Sequence, residues 1–164
     1  MNKKLDDYLC KTYPKIFAER KLSVQVSCMG RGFGCGNGWF PIINQLCYQI
    51  QQRIDWDTQY PPENRNPIPQ VVFLQVKEKF GALRIYHKGG DEFINGMITM
   101  TQMLSYYICE VCGVGGPIFV GHTKGWIQSI CEKCAKKNER PKVYFNTKVR
   151  NQMLKAEKEK NPYA

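Results

Sequence analysis

The stretch Cys109–Cys134, CEVCGVGGPIFVGHTKGWIQSICEKC, decides how this chain is read. It carries C-E-V-C at 109–112 and C-E-K-C at 131–134, with eighteen residues between the pairs. Two intervening residues let each pair turn both sulfurs to one point. Two such knuckles supply the four sulfurs of a closed tetrahedral zinc site. Gly113, directly after the first pair, suits the positive φ that such a turn needs. The expected ligands are therefore Cys109, Cys112, Cys131 and Cys134, and the expected cofactor is structural Zn²⁺. Four sulfurs leave no open position for water or substrate, so this site shapes the chain and does no chemistry. The competing reading, two disulfides or free core thiols, needs an oxidising compartment for its first form. The N-terminus MNKKLDDYLC has no apolar stretch behind its lysines, so no export signal is read and a reducing cytoplasm is expected.

Outward from the cysteines, the pattern is that of a small α+β protein. The length of 164 residues is enough for one core with a metal-bound subdomain. No apolar run reaches about 18 residues, so no membrane span is expected. Residues 3–19 read as a helix interrupted at Pro14. The run CMGRGFGCG at 28–36 has four glycines but no following Gly-Lys-Ser/Thr, so it reads as a structural crossing loop. Asn37 is expected to cap a helix that carries apolar residues from Trp39 to Ile54, with Pro41 in its first turn. After a proline-rich loop, VVFLQV and LRIY read as a β-hairpin turning near Gly81. Asp91 is expected to cap a third helix over 92–108, burying Phe93, Ile94, Met97, Ile98, Met100, Leu104, Tyr107 and Ile108. IFVGH and GWIQSI between the knuckles read as the short strands of a zinc ribbon, and 146–160 reads as a last, mostly polar helix. The organisation is thus a core over 1–108, a ribbon module over 109–135 and a basic helical tail over 136–164, with a small antiparallel sheet packed by helices.

Charge directs the functional reading. The net charge is +10, and from Lys136 to Lys160 nine Lys/Arg stand against three Glu. Such a balance favours polyanionic partners, although a basic helix also serves solubility alone. QVKEKFGALR at 75–84 places Lys77, Lys79 and Arg84 around one turn. Period-two alternation puts both lysines on one face, with Arg84 beside them and Arg31 as a further candidate. Arginine grips phosphate in a fork and lysine adds a point charge. Lys124 and Trp126 on the ribbon complete the candidate ligand set, while Trp39, Phe40 and Trp126 also read as core aromatics. His87 and His122 read as surface or structural residues. Cys10, Cys28, Cys35 and Cys47 match no compact knuckle and read as buried thiols.

GCGNGWFPIINQLC (34–47), QVKEKFGALRIY (75–86) and CEVCG followed by GW and C-x-x-C occur in that order. Together they resemble a family of proteins from tailed bacteriophages and prophages. That family shares a CGDGW-type helix start, a QVKEKFG-LRFY strand pair and a C-E-V-C-G zinc module. The resemblance covers about residues 28–135. It implies a phage accessory protein acting in a bacterial cytoplasm, and it implies context more than activity. Asn37 stands where the family pattern has Asp. The segment CEVCG…GH…GWIQSICEKCAKKN is also similar to the zinc-bearing HNH endonucleases. Their chemistry needs a His base and further ligands for a catalytic cation. Here the interval holds only His122, and Ala135 follows Cys134, so the reading is non-catalytic.

The functional expectation is non-enzymatic binding of a phosphate-bearing ligand, with nucleic acid first. A counter-defence protein that sequesters a cyclic or linear nucleotide signal is the alternative. A protein–protein adaptor or an inhibitor of a host enzyme is a third class.

Overall fold

The computed structural model describes residues 1–116, 120–139 and 143–145 and the helix 147–160, the last with side chains only in part. Ile118 and Phe119 of the expected first ribbon strand, Arg140 and Lys142 of the basic tail, Asn146 and residues 161–164 lie outside the described residues.

The first helix, α1 (Lys3–Thr12), is capped by Asn2, whose side chain accepts from the Leu5 amide. It stops just before Pro14, as its sequence requires. A 3₁₀ turn at Ala18–Lys21 and a second at Cys28–Arg31 carry the chain to the glycine-rich loop. The long helix α2 (Phe40–Gln59) holds Pro41 in its first turn. It starts later than expected, because Asn37–Trp39 forms a separate 3₁₀ turn. Asn37 does not cap α2; its Oδ1 accepts from the Asn2 amide at 2.7 Å. At its far end α2 runs on through Trp56–Gln59, residues read as loop.

Strands β1 (Val72–Lys79) and β2 (Ala82–Lys88) form the antiparallel hairpin, with Lys77 opposite Arg84 and Lys79 opposite Ala82. Its two edges are covered rather than exposed. On β1, Gly34 donates to the Val76 carbonyl and accepts from the Glu78 amide, extending the sheet by one parallel bridge. On β2, the Leu83 amide donates to Ser105 Oγ at 2.8 Å and the Ile85 amide to Gln102 Oε1 at 3.2 Å. Both acceptors sit on or just beyond α3 (Glu92–Leu104), which Asp91 caps through the Ile94 amide.

The main core lies between α1, α2, α3 and the hairpin. Trp39, Ile43, Ile50, Phe73, Val76, Leu83 and Ile94 are fully buried in it. Each such side chain contributes about 1.5–3 kcal/mol on leaving water. One expectation is corrected here. Only Ile94 and Ile98 of α3 are fully buried, whereas Phe93, Met100, Leu104 and Tyr107 stay exposed. A two-stranded hairpin covers one row of a helix, and positions 94 and 98 are that row. Phe93, Met97, Met100 and Leu104 border an open groove of about 640 Å³ against Ile42 and Leu46 of α2.

The cysteine module follows. Strand β3 (Val120–Thr123) lies centrally, between β4 (Ser129–Cys131) and β5 (Val143–Tyr144), all antiparallel. The short helix α4 (Glu132–Lys137) carries the second knuckle, and α5 (Thr147–Lys160) closes the chain. Val120, Ile130 and Ala135 pack with three of the cysteines in a second, small core. Met153 and Leu154 of α5 stay well exposed, as its narrow apolar stripe implies.

Candidate metal centre and cation–aromatic face

The sulfurs of Cys109, Cys112, Cys131 and Cys134 all lie within 4.8 Å of one another. Cys112 and Cys131 are 3.8 Å apart. A tetrahedral ion with metal–sulfur bonds of about 2.3 Å separates its sulfurs by about 3.8 Å, so the cluster has the dimensions of a four-thiolate site. Three of the four cysteines are buried and Cys112 is exposed. Backbone geometry supports the knuckles: Gly113 has φ 82°, and the Cys134 amide donates to Cys131 Sγ at 3.4 Å. Burial raises the Cys109 thiol above its ordinary range, so binding a metal there means expelling a proton. His122 is not a ligand. No second cluster of this kind exists among the described residues: Cys10 donates to Asp6 Oδ1, burial pushes the Cys35 thiol up to about 12, and Cys28, read as a buried thiol, is exposed on its 3₁₀ turn.

The first knuckle is also the docking point for the glycine-rich loop. The Gly38 amide donates to the Glu110 carbonyl at 2.7 Å, and the Gly36 amide donates to Glu110 Oε1 at 2.8 Å. Trp39 Nε1 donates to the Ile108 carbonyl at 2.9 Å. The approach leaves no room for a side chain. A Cβ on Gly38 would stand 2.1 Å from the Cys109 carbonyl oxygen, and one on Gly36 would stand 2.2 Å from that of Glu110. The glycines of G-C-G-N-G-W therefore serve a backbone crossing, as read, and the element crossed is the metal knuckle. Glu110 is the residue that sequence reading missed. Its buried carboxyl is raised by desolvation, against the hydrogen bonds from Gln128 Nε2 and the Gly36 amide. An acid placed between two metal-binding cysteines was the available signal.

The hairpin tip docks on the opposite side of the module. Phe80 and Gly81 both have positive φ, 53° and 77°, the pattern of the tight turn that matches strand twist. Glu78 Oε1 caps the turn through the Gly81 amide. Ser129 Oγ donates to the Gly81 carbonyl at 2.5 Å and lies 3.0 Å from His122 Nε2. With its one hydrogen so used, Ser129 accepts from His122, which fixes the imidazole proton on Nε2. Burial lowers the His122 pKa and keeps the ring neutral near pH 7.

This contact aligns the candidate cations with aromatic rings from both sheets. Lys77 Nζ lies 5.3 Å from the Tyr86 ring centroid, and Lys79 Nζ lies 4.5 Å from that of Phe80. Arg84 Nη2 reaches the Tyr106 hydroxyl at 3.5 Å, and Tyr106 in turn packs on His122 at 5.7 Å. Across the junction Lys124 Nζ lies 4.8 Å from the Tyr144 ring, and Tyr144 pairs with His122 in the sheet. Trp126 is 75% exposed and Phe80 64%. The register puts Lys77, Lys79 and Arg84 on one face of the hairpin, and Lys124 lies on the module, across the Gly81–Ser129 contact. Arg31 is exposed at the end of the second 3₁₀ turn, Cys28–Arg31, and is not among the residues that carry the cation–ring contacts. Trp126 is not a core residue, in contrast to Trp39. The aromatic members Phe80, Tyr86, Tyr106 and Tyr144 escaped the sequence reading, because nothing local shows that the hairpin tip meets the ribbon.

No protein-family model matches the chain, and no curated protein or solved structure shows significant similarity to it. Among the described residues, no helix is long and apolar enough to cross a membrane.

Proposed function

We propose that this protein binds nucleic acid without cleaving it, through the face on which the hairpin tip meets the cysteine module. We further propose zinc as the metal that holds that module. The carrying observation is the alternation of Lys77, Lys79, Arg84 and Lys124 with exposed rings across two sheets that touch at Gly81 and Ser129. Cations track a phosphate chain while rings accept bases, and the combination marks surfaces that hold strands. All four sulfurs would be engaged by the ion, which fits zinc in a shaping role.

The same cations admit a second ligand, the compact nucleotide signal of a bacterial defence system. Openness favours the polymer. Small ligands are held in concave sites that cover most of their surface. Phe80 and Trp126, beside the Gly81–Ser129 contact, are 64% and 75% exposed. A phage counter-defence setting rests on the sequence resemblance alone and is compatible with either ligand.

The test is a titration of the zinc-loaded protein with fluorescent DNA and RNA over a series of salt concentrations. Binding at low salt is expected, falling linearly in log–log form as released counterions are titrated. Absence of binding to both polymers at the lowest salt, together with a thermal shift from a nucleotide panel, would transfer the reading to the small ligand.

A further inference from the structure

Resting on the nucleic-acid reading, we infer that Phe80 and Trp126 are stacking platforms for unpaired bases, so that the ligand class is single-stranded rather than duplex.

Phe80 occupies a position that its side chain does not favour. It is the first central residue of the hairpin turn, with φ 53°. Bulky residues are rare in the left-handed region, and this turn type prefers Asn, Asp or Gly there. Burial returns little of that strain, since the side chain is 64% exposed. Lys79 lies against the ring. An exposed ring held in a costly conformation does nothing for the fold that Asn would not do better.

Trp126 makes the same point from the other sheet. At 75% it is among the most exposed large apolar side chains described. Its backbone is nevertheless held: Thr123, itself buried, donates through Oγ1 to the Trp126 carbonyl at 2.6 Å and accepts from the Gln128 amide at 3.1 Å. The indole is therefore presented from a clamped turn. The residues next to the two aromatics in the chain meet, because a Cβ on Gly81 would stand 3.0 Å from Ile127 Cγ2. A paired base inside a duplex offers its edge to a protein and hides its flat face, whereas an unpaired base offers the face. Two exposed rings on turns that adjoin one contact, with Lys79 over Phe80 and Lys124 over Tyr144, match the second case.

The test compares zinc-loaded wild type with Phe80→Asn and Trp126→Ser, using a thymine-only single strand of about 15 nucleotides and a mixed-sequence duplex of equal length. Wild type is expected to prefer the single strand. Each substitution is expected to weaken single-strand binding by about fivefold to a hundredfold and to leave the salt slope unchanged. Phe80→Asn is expected to hold or raise the melting temperature while affinity falls, which separates a ligand role from a folding role. Equal or tighter duplex binding by wild type, or unaltered single-strand affinity in both variants, overturns the inference and leaves nucleic-acid binding standing. Binding to neither probe overturns both.

Discussion

Two groups of cations lie on this protein, and they are not equivalent. Lys77, Lys79, Arg84 and Lys124 sit by the rings of the hairpin and the module, and among the described residues none of them forms an ion pair. Lys133, Lys137 and Arg150 line a cleft of about 650 Å³ with Cys112, Cys131, Cys134 and Glu132. A divalent metal bound by four thiolates is a dianion, and Glu132 adds to it. The second group therefore has its charge answered locally once the metal is bound, while the first group does not. A count along the sequence scores both alike. What separates them is the thiolate charge that only the metal-bound fold brings together.

The strongest way to break this comparison is to disturb the metal knuckle itself. Chelation is expected to remove the dianion and the module with it, and the effect should reach the main core. The loop that carries Gly36, Gly38 and Trp39 is bonded to residues 108–110. Calorimetry is expected to show one cooperative transition with metal and a large fall in melting temperature without it. Two independent transitions in the metal-bound protein would show that the module is a separate body. Gly38→Ala should reproduce part of the loss at roughly 3 kcal/mol or more, since fixed backbone meets the new methyl. Gly96→Ala, in α3 with nothing within 4 Å, is the control and should stabilise by about 0.5–1 kcal/mol.

A milder intervention sharpens the comparison. Replacing Lys79 and Lys124 together by Gln should lower the salt slope of single-strand binding by about 1.4, at about 0.7 per phosphate contact. Replacing Lys133 and Lys137 together should leave the slope nearly unchanged and instead weaken metal retention, read by competition with a chromophoric chelator. Equal slopes for the two double variants would erase the distinction between the groups.

These contrasts also show what the sequence made legible. The four-cysteine cluster was readable, because two C-x-x-C pairs bring their sulfurs together through local turns. The paired strands, with Arg84 beside the two lysines, were readable from period-two alternation and one glycine, while the Lys77–Arg84 register came from the structure. The partner of the glycine-rich loop was not, because Gly38 and Cys109 meet through backbone atoms, and backbone contacts leave no complementary side-chain pattern. Nor was the exposure of Phe93, Met100 and Leu104: apolar spacing says which residues share a helix face, and the width of the sheet beneath decides how many are covered. Trp126 and Trp39 are alike as letters. One ends fully buried with its indole bonded to Ile108, the other on a turn that nothing covers.

The smallest expected effect concerns the hinge between the two sheets. His122 has a folded-state pKa below its ordinary value, with burial as the cause. The unfolded chain therefore takes up a proton that the folded chain resists. The stability that neutral His122 supports is fully present above about pH 6.5, the unfolded value, and is lost as pH falls through it toward the folded pKa. His122→Gln keeps a donor for Ser129 Oγ and removes the titration. With zinc in excess, the gap in melting temperature between wild type and this variant should narrow or reverse between pH 7.5 and pH 5.5. Contributions from the other ionisable groups are common to both proteins and cancel in the difference. The same acidification should loosen the contact that places Lys79 and Phe80 beside Lys124 and Trp126, so single-strand affinity of wild type should fall more than that of the variant. A constant gap across this range would mean that His122 adds no pH-dependent stability to the contact between the two sheets.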